Sequence, residues 1–270
     1  LLKRLHQNAD FDAKVTGSAL SFTPSAMRYC GLSHHDTGKT MHTPLVNDEL
    51  DWLDSMVGLS HQDIIELGCG AAALARQLLT RFPQCHLTAL EVDERQQAKN
   101  LLATQQRLTF VQAGAQAIPC EAASFDLALM LKSLHHVPVA LMDAALLEVH
   151  RVLRPEGLLY VSEPVFAGSH NEVMRLFHDE EQVRIEALQA VHRAVASAGW
   201  VQQTEIHFEM PVHYHDFADF EKRMMAVTYA DHRLDEATMQ KVRARFESHM
   251  GSQGADFMRP MRVNLLQKDS

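Results

Sequence analysis

The residues whose types and spacing can do chemistry are concentrated in Asp63–Leu79, DIIELGCGAAALARQLL. An apolar run ends in Glu66, a glycine pair follows at Gly68 and Gly70, and a helical pattern begins at Ala73. Gly68, Gly70 and Ala73 satisfy the relaxed G-x-G-x-x-A spacing of a nucleotide-binding turn, and Glu91 ends the next apolar run, where a ribose-binding acid belongs. By spacing alone, a nicotinamide dinucleotide and a phosphate-free nucleoside fit equally well.

Glu66 separates the two. A dinucleotide lays a doubly anionic pyrophosphate on the helix N-terminus after the turn, and a buried carboxylate close by opposes it. S-adenosylmethionine has an ammonium and a sulfonium and no phosphate, so Glu66 favours it. Gly68, Cys69 (through its backbone) and Gly70 admit the methionine part closely because the glycines have no Cβ. Glu91 can accept from both ribose hydroxyls. The plainer alternative is a strand-end acid followed by an ordinary turn.

The elements that must position these groups alternate. DIIEL, HLTALEV, LTFVQA, SFDLALML and LLYVSEP read as buried strands, and AALARQLLTRF, DERQQAKNLLATQQ and the stretch from Pro138 to Leu153 as helices. RPEG is expected to close the last of these. A helix is expected from about Glu181 to Ala198, then a strand with one wet face in which Thr204, Ile206, Phe208 and Met210 alternate with polar residues. Residues 216–252 look helical, and MRVNLLQK reads as the final strand. Such alternation implies an α/β fold: a Rossmann-like, mostly parallel sheet with helices on both faces, whose ligands bind at the carboxyl ends of the strands. Residues 1–60, including the helical LVNDELDWLDSMVGL, are expected to form a lid or extension, and 61–270 the main domain with a helical insertion at about 212–255.

ELGCGAA followed by LEVD resembles the first two motifs of class I S-adenosylmethionine-dependent methyltransferases. The resemblance continues through VQAGAQAIPCEAASFDLALMLKSLHHVP and LLEVHRVLRPEGLLYVSEP, which are similar to the branch containing ubiquinone/menaquinone-biosynthesis enzymes and many small-molecule methyltransferases. It implies a seven-stranded sheet with a reversed last strand, and S-adenosylmethionine held by Glu66, Gly68, Cys69, Gly70, Glu91 and Val92. Two positions depart from the pattern. The third glycine of the first motif is Ala72, and the acid that usually bonds adenine is replaced by Gly114, or by Ala115 in a shifted register. Gln116 is placed to supply an amide oxygen there instead.

Methyl transfer from a sulfonium is an in-line displacement that needs an aligned nucleophile in a dry pocket, and a base only if the nucleophile arrives protonated. The fourth strand ends at LKSLHHV, beside the expected methyl group. Lys132 and Ser133 are placed at the methionine end, and His135 and His136 on the acceptor side as candidate catalytic groups. Packing or helix capping accounts for His135, whereas packing and proton transfer stand level for His136. Candidate acceptor contacts are Arg28, Tyr29, Arg175, His178 and Tyr214. His213 and His215 share strand spacing around Tyr214 but have no obvious third ligand, so no metal is expected.

Composition bounds the rest. A formal charge of −9 over 270 residues disfavours a nucleic-acid partner. No C-x-x-C pair joins Cys30, Cys69, Cys85 and Cys120, and the scattered thiols suit a reducing cytoplasm. The N-terminal residues lack a signal-like apolar core and no apolar run is long enough for a bilayer, so a cytoplasmic, membrane-independent enzyme is expected. The expectation is a methyltransferase acting on a small molecule. The alternatives are an enzyme of the same fold and cofactor with another reaction, an NAD-dependent oxidoreductase, and a non-catalytic regulator.

Overall fold

The computed structural model describes residues 43–197, 199–226 and 234–270. Arg28 and Tyr29 lie outside the described residues, as does Cys30.

Five strands run parallel in the order β3-β2-β1-β4-β5: β1 (Asp63–Leu67), β2 (His86–Glu91), β3 (Leu108–Gln112), β4 (Phe125–Leu131) and β5 (Leu153–Pro164). The sheet continues with β8 (Gly254–Lys268), antiparallel to β5, and then β6 (Trp200–Tyr214), antiparallel to β8. A two-residue strand β7 (Met250–Gly251) pairs with the start of β8, giving eight strands where seven are expected.

Alternation along the strands divides the interior into two layers. In β4, Leu127 and Leu129 face one cluster while Ala128 and Met130 face the other. The first layer is closed by α1 (Glu49–Val57) and α2 (Ala73–Arg81), through Leu50, Leu53, Leu78 and Leu79. The second is closed by α4 (Met142–Val152) and α6 (Glu181–Ala196), through Leu146, Val149, Ala187 and Val191. Helix α3 (Glu94–Leu101) follows β2 and starts at Asp93, whose side chain accepts from the Arg95 amide. Helix α1 is thus part of the sheet's own core, because Leu50 and Leu53 are apolar at i and i+3 and both are fully buried. No helix among the described residues is long and apolar enough to cross a membrane.

Three boundaries differ from the sequence reading. RPEG lies within β5, with an irregularity in the pairing between Phe125 and Leu127 that absorbs it. Pro138 opens a short 3-10 turn at Val139–Leu141 before α4 begins. The third difference is larger. β6 and β8 pair from Trp200↔Lys268 to Tyr214↔Ala255, whereas β5 meets β8 only as far as Pro164↔Met261. The outer halves of β6 and β8 therefore leave the sheet as a two-stranded arm at the carboxyl end of β5.

A bare two-stranded ribbon is at best marginally stable in water. This one is covered by α5 (Gly168–Met174), α7 (Phe217–Met224) and α8 (Glu236–Glu247). Their apolar faces join Val173, Tyr214, Phe217, Phe220, Phe246 and Phe257 in a satellite core. The expected helical insertion is thus two helices on an extended hairpin.

Candidate active site

Strand β1 delivers Glu66 and then the glycine turn. Period-two alternation puts Glu66 on the face of Ile64, toward α1, and that face brings Glu49 close to it. Glu66 is buried, and its Oε2 has no hydrogen-bond partner. Burial pushes its pKa up to about 8; Lys132 opposes the shift, and Glu49 and Glu91 add to it by repulsion. Lys132, at the end of β4, donates from Nζ to Glu49 Oε2 at 2.6 Å, while Glu49 Oε1 is buried without a partner. This face thus holds two carboxyl groups and one ammonium, and each carboxyl keeps one buried oxygen without a partner.

The turn itself is tightly held. The amides of Gly68 and Cys69 both donate to the Leu90 carbonyl, at 3.0 and 2.9 Å. Glu91 accepts from the Gly70 amide through Oε2 at 2.8 Å, and from Val92 and Asp93 through Oε1 at 2.9 and 2.8 Å. The acid at the end of β2 is therefore oriented by three backbone amides, and its carboxylate keeps lone pairs for further donors. Asn100, buried on α3, donates to the Gly70 carbonyl at 2.8 Å. Burial drives the Cys69 thiol far above the usual range, so Cys69 contributes backbone and bulk and no thiolate.

Backbone strain collects here. Gly68 and Gly70 have φ of +73° and +54°, and the non-glycine residues Ala72 and Lys132 both have φ of +56°. Ala72, where the usual pattern has glycine, holds the left-handed conformation directly before α2. The two glycines differ in surroundings: a Cβ on Gly68 would stand 2.8 Å from Ser133 Cβ, and one on Gly70 would meet nothing within 4 Å. Gly68→Ala is expected to cost roughly 2–4 kcal/mol of stability, combining left-handed strain with overpacking. Gly70→Ala, with strain alone, should cost about 1–2 kcal/mol. Urea unfolding of the two variants checks the order; equal losses would remove the close approach of the turn to Ser133 as a constraint.

Beyond the end of β3, Ala115 is buried and the Gln116 amide packs directly over Gly114, its Oε1 2.5 Å from where a Gly114 Cβ would lie. The amide occupies the room that a missing acid side chain leaves. Val92, next to Glu91, is an exposed valine at the rim.

At the end of β4 the chain enters a one-turn 3-10 helix, Leu134–His136. The Leu134 amide donates to Glu163 Oε1 at 2.8 Å, and His135 Nδ1 bonds Glu163 Oε2. His135 Nε2 stands 3.5 Å from Glu180 Oε1. Burial opposes a charge on His135, but Glu163 and Glu180 outweigh it and push its pKa up to about 9. His136 meets solvent at its edge; crowding around its ring and the charge on His135 push it down to about 4. Glu180 also bonds His178 Nε2 at 2.8 Å and Arg184; burial opposes its charge, but the contacts with His135 and His178 and the Arg184 guanidinium hold its carboxyl well below the usual range.

The expected acceptor contacts scatter. His178 joins the His135–Glu180 cluster. Arg175 is exposed, with its guanidinium 5.1 Å from the Phe166 ring centroid and 3.9 Å from Glu172. Tyr214 does not line a pocket: it is 1% exposed inside the satellite core, and its hydroxyl bonds His170 Nε2 at 2.8 Å. The strand pattern that placed His213 and His215 outward turned Tyr214 inward onto α7 and α8. His213 pairs with Asp256 on the neighbouring strand at 2.8 Å. Glu49, Asn100, Glu163 and Glu180 escaped the sequence reading; only Glu163, a polar residue in the mostly apolar end of β5, carried a local signal.

A family profile described as a methyltransferase domain matches residues 64–157. An uncharacterized protein of Haemophilus influenzae is 30% identical over 51% of this chain and 57% of its own length. The ubiquinone/menaquinone biosynthesis C-methyltransferase UbiE of Rhizobium etli is 32% identical over 42% of this chain and 47% of its own length. The chain thus spans about half the length of the curated relatives it matches. Among solved structures, the YcgJ protein of Bacillus subtilis superimposes with a TM-score of 0.58 at 16% identity, over 82% of this chain and 98% of that one, a likeness of fold. Residues 64–157 thus match a methyltransferase domain, and the sheet built around them has the fold of the solved neighbours.

Proposed function

We propose that the protein transfers a methyl group from S-adenosylmethionine to a small-molecule acceptor by in-line displacement. The observation that carries this reading is the unpartnered oxygen of Glu66, buried beside a glycine turn at the carboxyl end of β1. A carboxylate kept there without a partner suits a cationic ligand and opposes a pyrophosphate. When bound, the cofactor supplies the methyl group and its own leaving group. This chain's residues bind and orient. Glu66 and Lys132 flank the methionine end, the backbone of Gly68, Cys69 and Gly70 lies against it, and Glu91 takes the ribose hydroxyls. Val92, Ala115 and Gln116 surround the adenine. His135 and His136 stand on the acceptor side, with His178 behind them. Proton acceptance there falls to His136. The formal charge of −9 agrees with an acceptor other than nucleic acid.

The test is incubation with methyl-labelled cofactor and fractionated metabolites, read by mass spectrometry, alongside calorimetry with S-adenosylhomocysteine and NAD. The expected result is one labelled small molecule and binding of the nucleoside alone. Binding without any label transfer would leave an enzyme of this fold with another reaction. Binding of NAD alone would overturn the assignment.

A further inference from the structure

We infer that His135, His136 and Glu180 form a three-ligand site for a divalent transition-metal ion of the zinc class. One ligand atom from each of the three lies within 4.8 Å of the others. The separation of His135 Nε2 and Glu180 Oε1, 3.5 Å, is too long for a good N–H···O hydrogen bond. It matches the edge of about 3.4 Å between two ligands of a tetrahedral centre with bonds of about 2.1 Å. His136, the most exposed of the three, completes the triangle and gives the ion a route from solvent.

The partners behind the ligands are those a metal centre needs. Glu163 bonds His135 Nδ1, leaving Nε2 as the ligand atom, the carboxylate–histidine arrangement that fixes ring orientation. Glu163 is itself held by the Leu134 amide. Arg184 grips Glu180 Oε2 from Nη2 at 2.5 Å, which turns Oε1 toward the histidines. Two imidazoles and one carboxylate select zinc-class ions over magnesium or calcium, and three protein ligands leave a position open. With neutral imidazoles, Glu163, Glu180, Arg184 and a divalent ion sum to one positive charge, so the open position suits an anion such as hydroxide. His178 Nε2, 2.8 Å from Glu180 Oε1, shares that ligand oxygen.

The experiment uses the full chain without an affinity tag, stripped with chelator and titrated with Co2+, then with Zn2+ as competitor. The expected result is one equivalent of Co2+ with intense visible d–d absorption, bleached by Zn2+, and a raised melting temperature with either ion. His136→Ala and Glu180→Gln should each weaken binding at least tenfold, and His136→Ala should leave affinity for S-adenosylhomocysteine unchanged. His136 is on the surface, so its variant folds even if Glu180→Gln does not. No stoichiometric absorption in the wild type, or equal binding by His136→Ala, would overturn the site. Because no methyl donor is present, that failure stays separate from any failure of methyl transfer.

Discussion

Glu66→Gln should make the ligand-free protein more stable at alkaline pH while crippling cofactor binding. The carboxyl of Glu66 titrates at about 8 in the folded chain against 4.5 in an unfolded one, chiefly because burial penalises its charge. A folded pKa above the unfolded value means that the native state binds the extra proton between those limits. The stability that this group contributes is fully present below about pH 4.5 and is lost as pH rises through about 8. Glutamine cannot ionise, so the variant escapes the loss. Allowing for its buried amide, it should exceed wild type by roughly 2–4 kcal/mol at pH 9 and match it near pH 5. Affinity for the cofactor should fall at least tenfold, since a charged hydrogen bond contributes about 1.5–3 kcal/mol. Denaturant unfolding at pH 5, 7 and 9 and calorimetry with S-adenosylhomocysteine read both effects. A variant less stable than wild type at pH 9 would mean that Glu66 is stabilised by a partner and is not waiting for one.

Glu91→Ala carries the second large effect, on stability and affinity together. Three backbone amides, Gly70, Val92 and Asp93, lose their acceptor. Water reaches this part-buried turn and recovers some of the loss, so the expected cost is about 2–4 kcal/mol, with cofactor binding weakened more than tenfold. Glu91→Gln separates the two roles. It keeps a carbonyl oxygen for Val92 and Asp93 but turns an NH2 group toward the Gly70 amide or the ribose. It should therefore recover part of the stability and little of the affinity. Affinity within twofold of wild type in Glu91→Ala would withdraw Glu91 from the ribose.

The meeting of Glu66, the glycine turn and Glu91 was legible because its signals are local. Glu66 and Gly68 lie two residues apart, Glu91 ends its own strand, and the strand–helix alternation from Asp63 to Pro164 fixes which ends of the sheet they share. The side-chain pairs around the end of β4 were legible only as a set of residue types. Lys132 and Glu49 are 83 residues apart and His135 and Glu163 are 28 apart, so no spacing rule connects them. Tyr214 shows the opposite limit: its alternation correctly reads as a strand, but the strand runs past the sheet into a second core, and nothing in a period of two says what covers a face. RPEG failed for a related reason. Its composition says turn, and the chain does turn there, inside a strand that begins at Leu153.

The arm has a mechanical consequence. β8 runs unbroken from Gly254 to Lys268, from the tip of the arm into the sheet between β5 and the edge strand β6. Helices α7 and α8 are thus mounted on a cantilever with no pivot at its root. Bending it means distorting ladder hydrogen bonds that also hold the last parallel strand. The satellite core on this overhang is then held at a fixed offset from the sheet, and shortening the two strands would move it as a unit without disturbing the glycine turn at the end of β1.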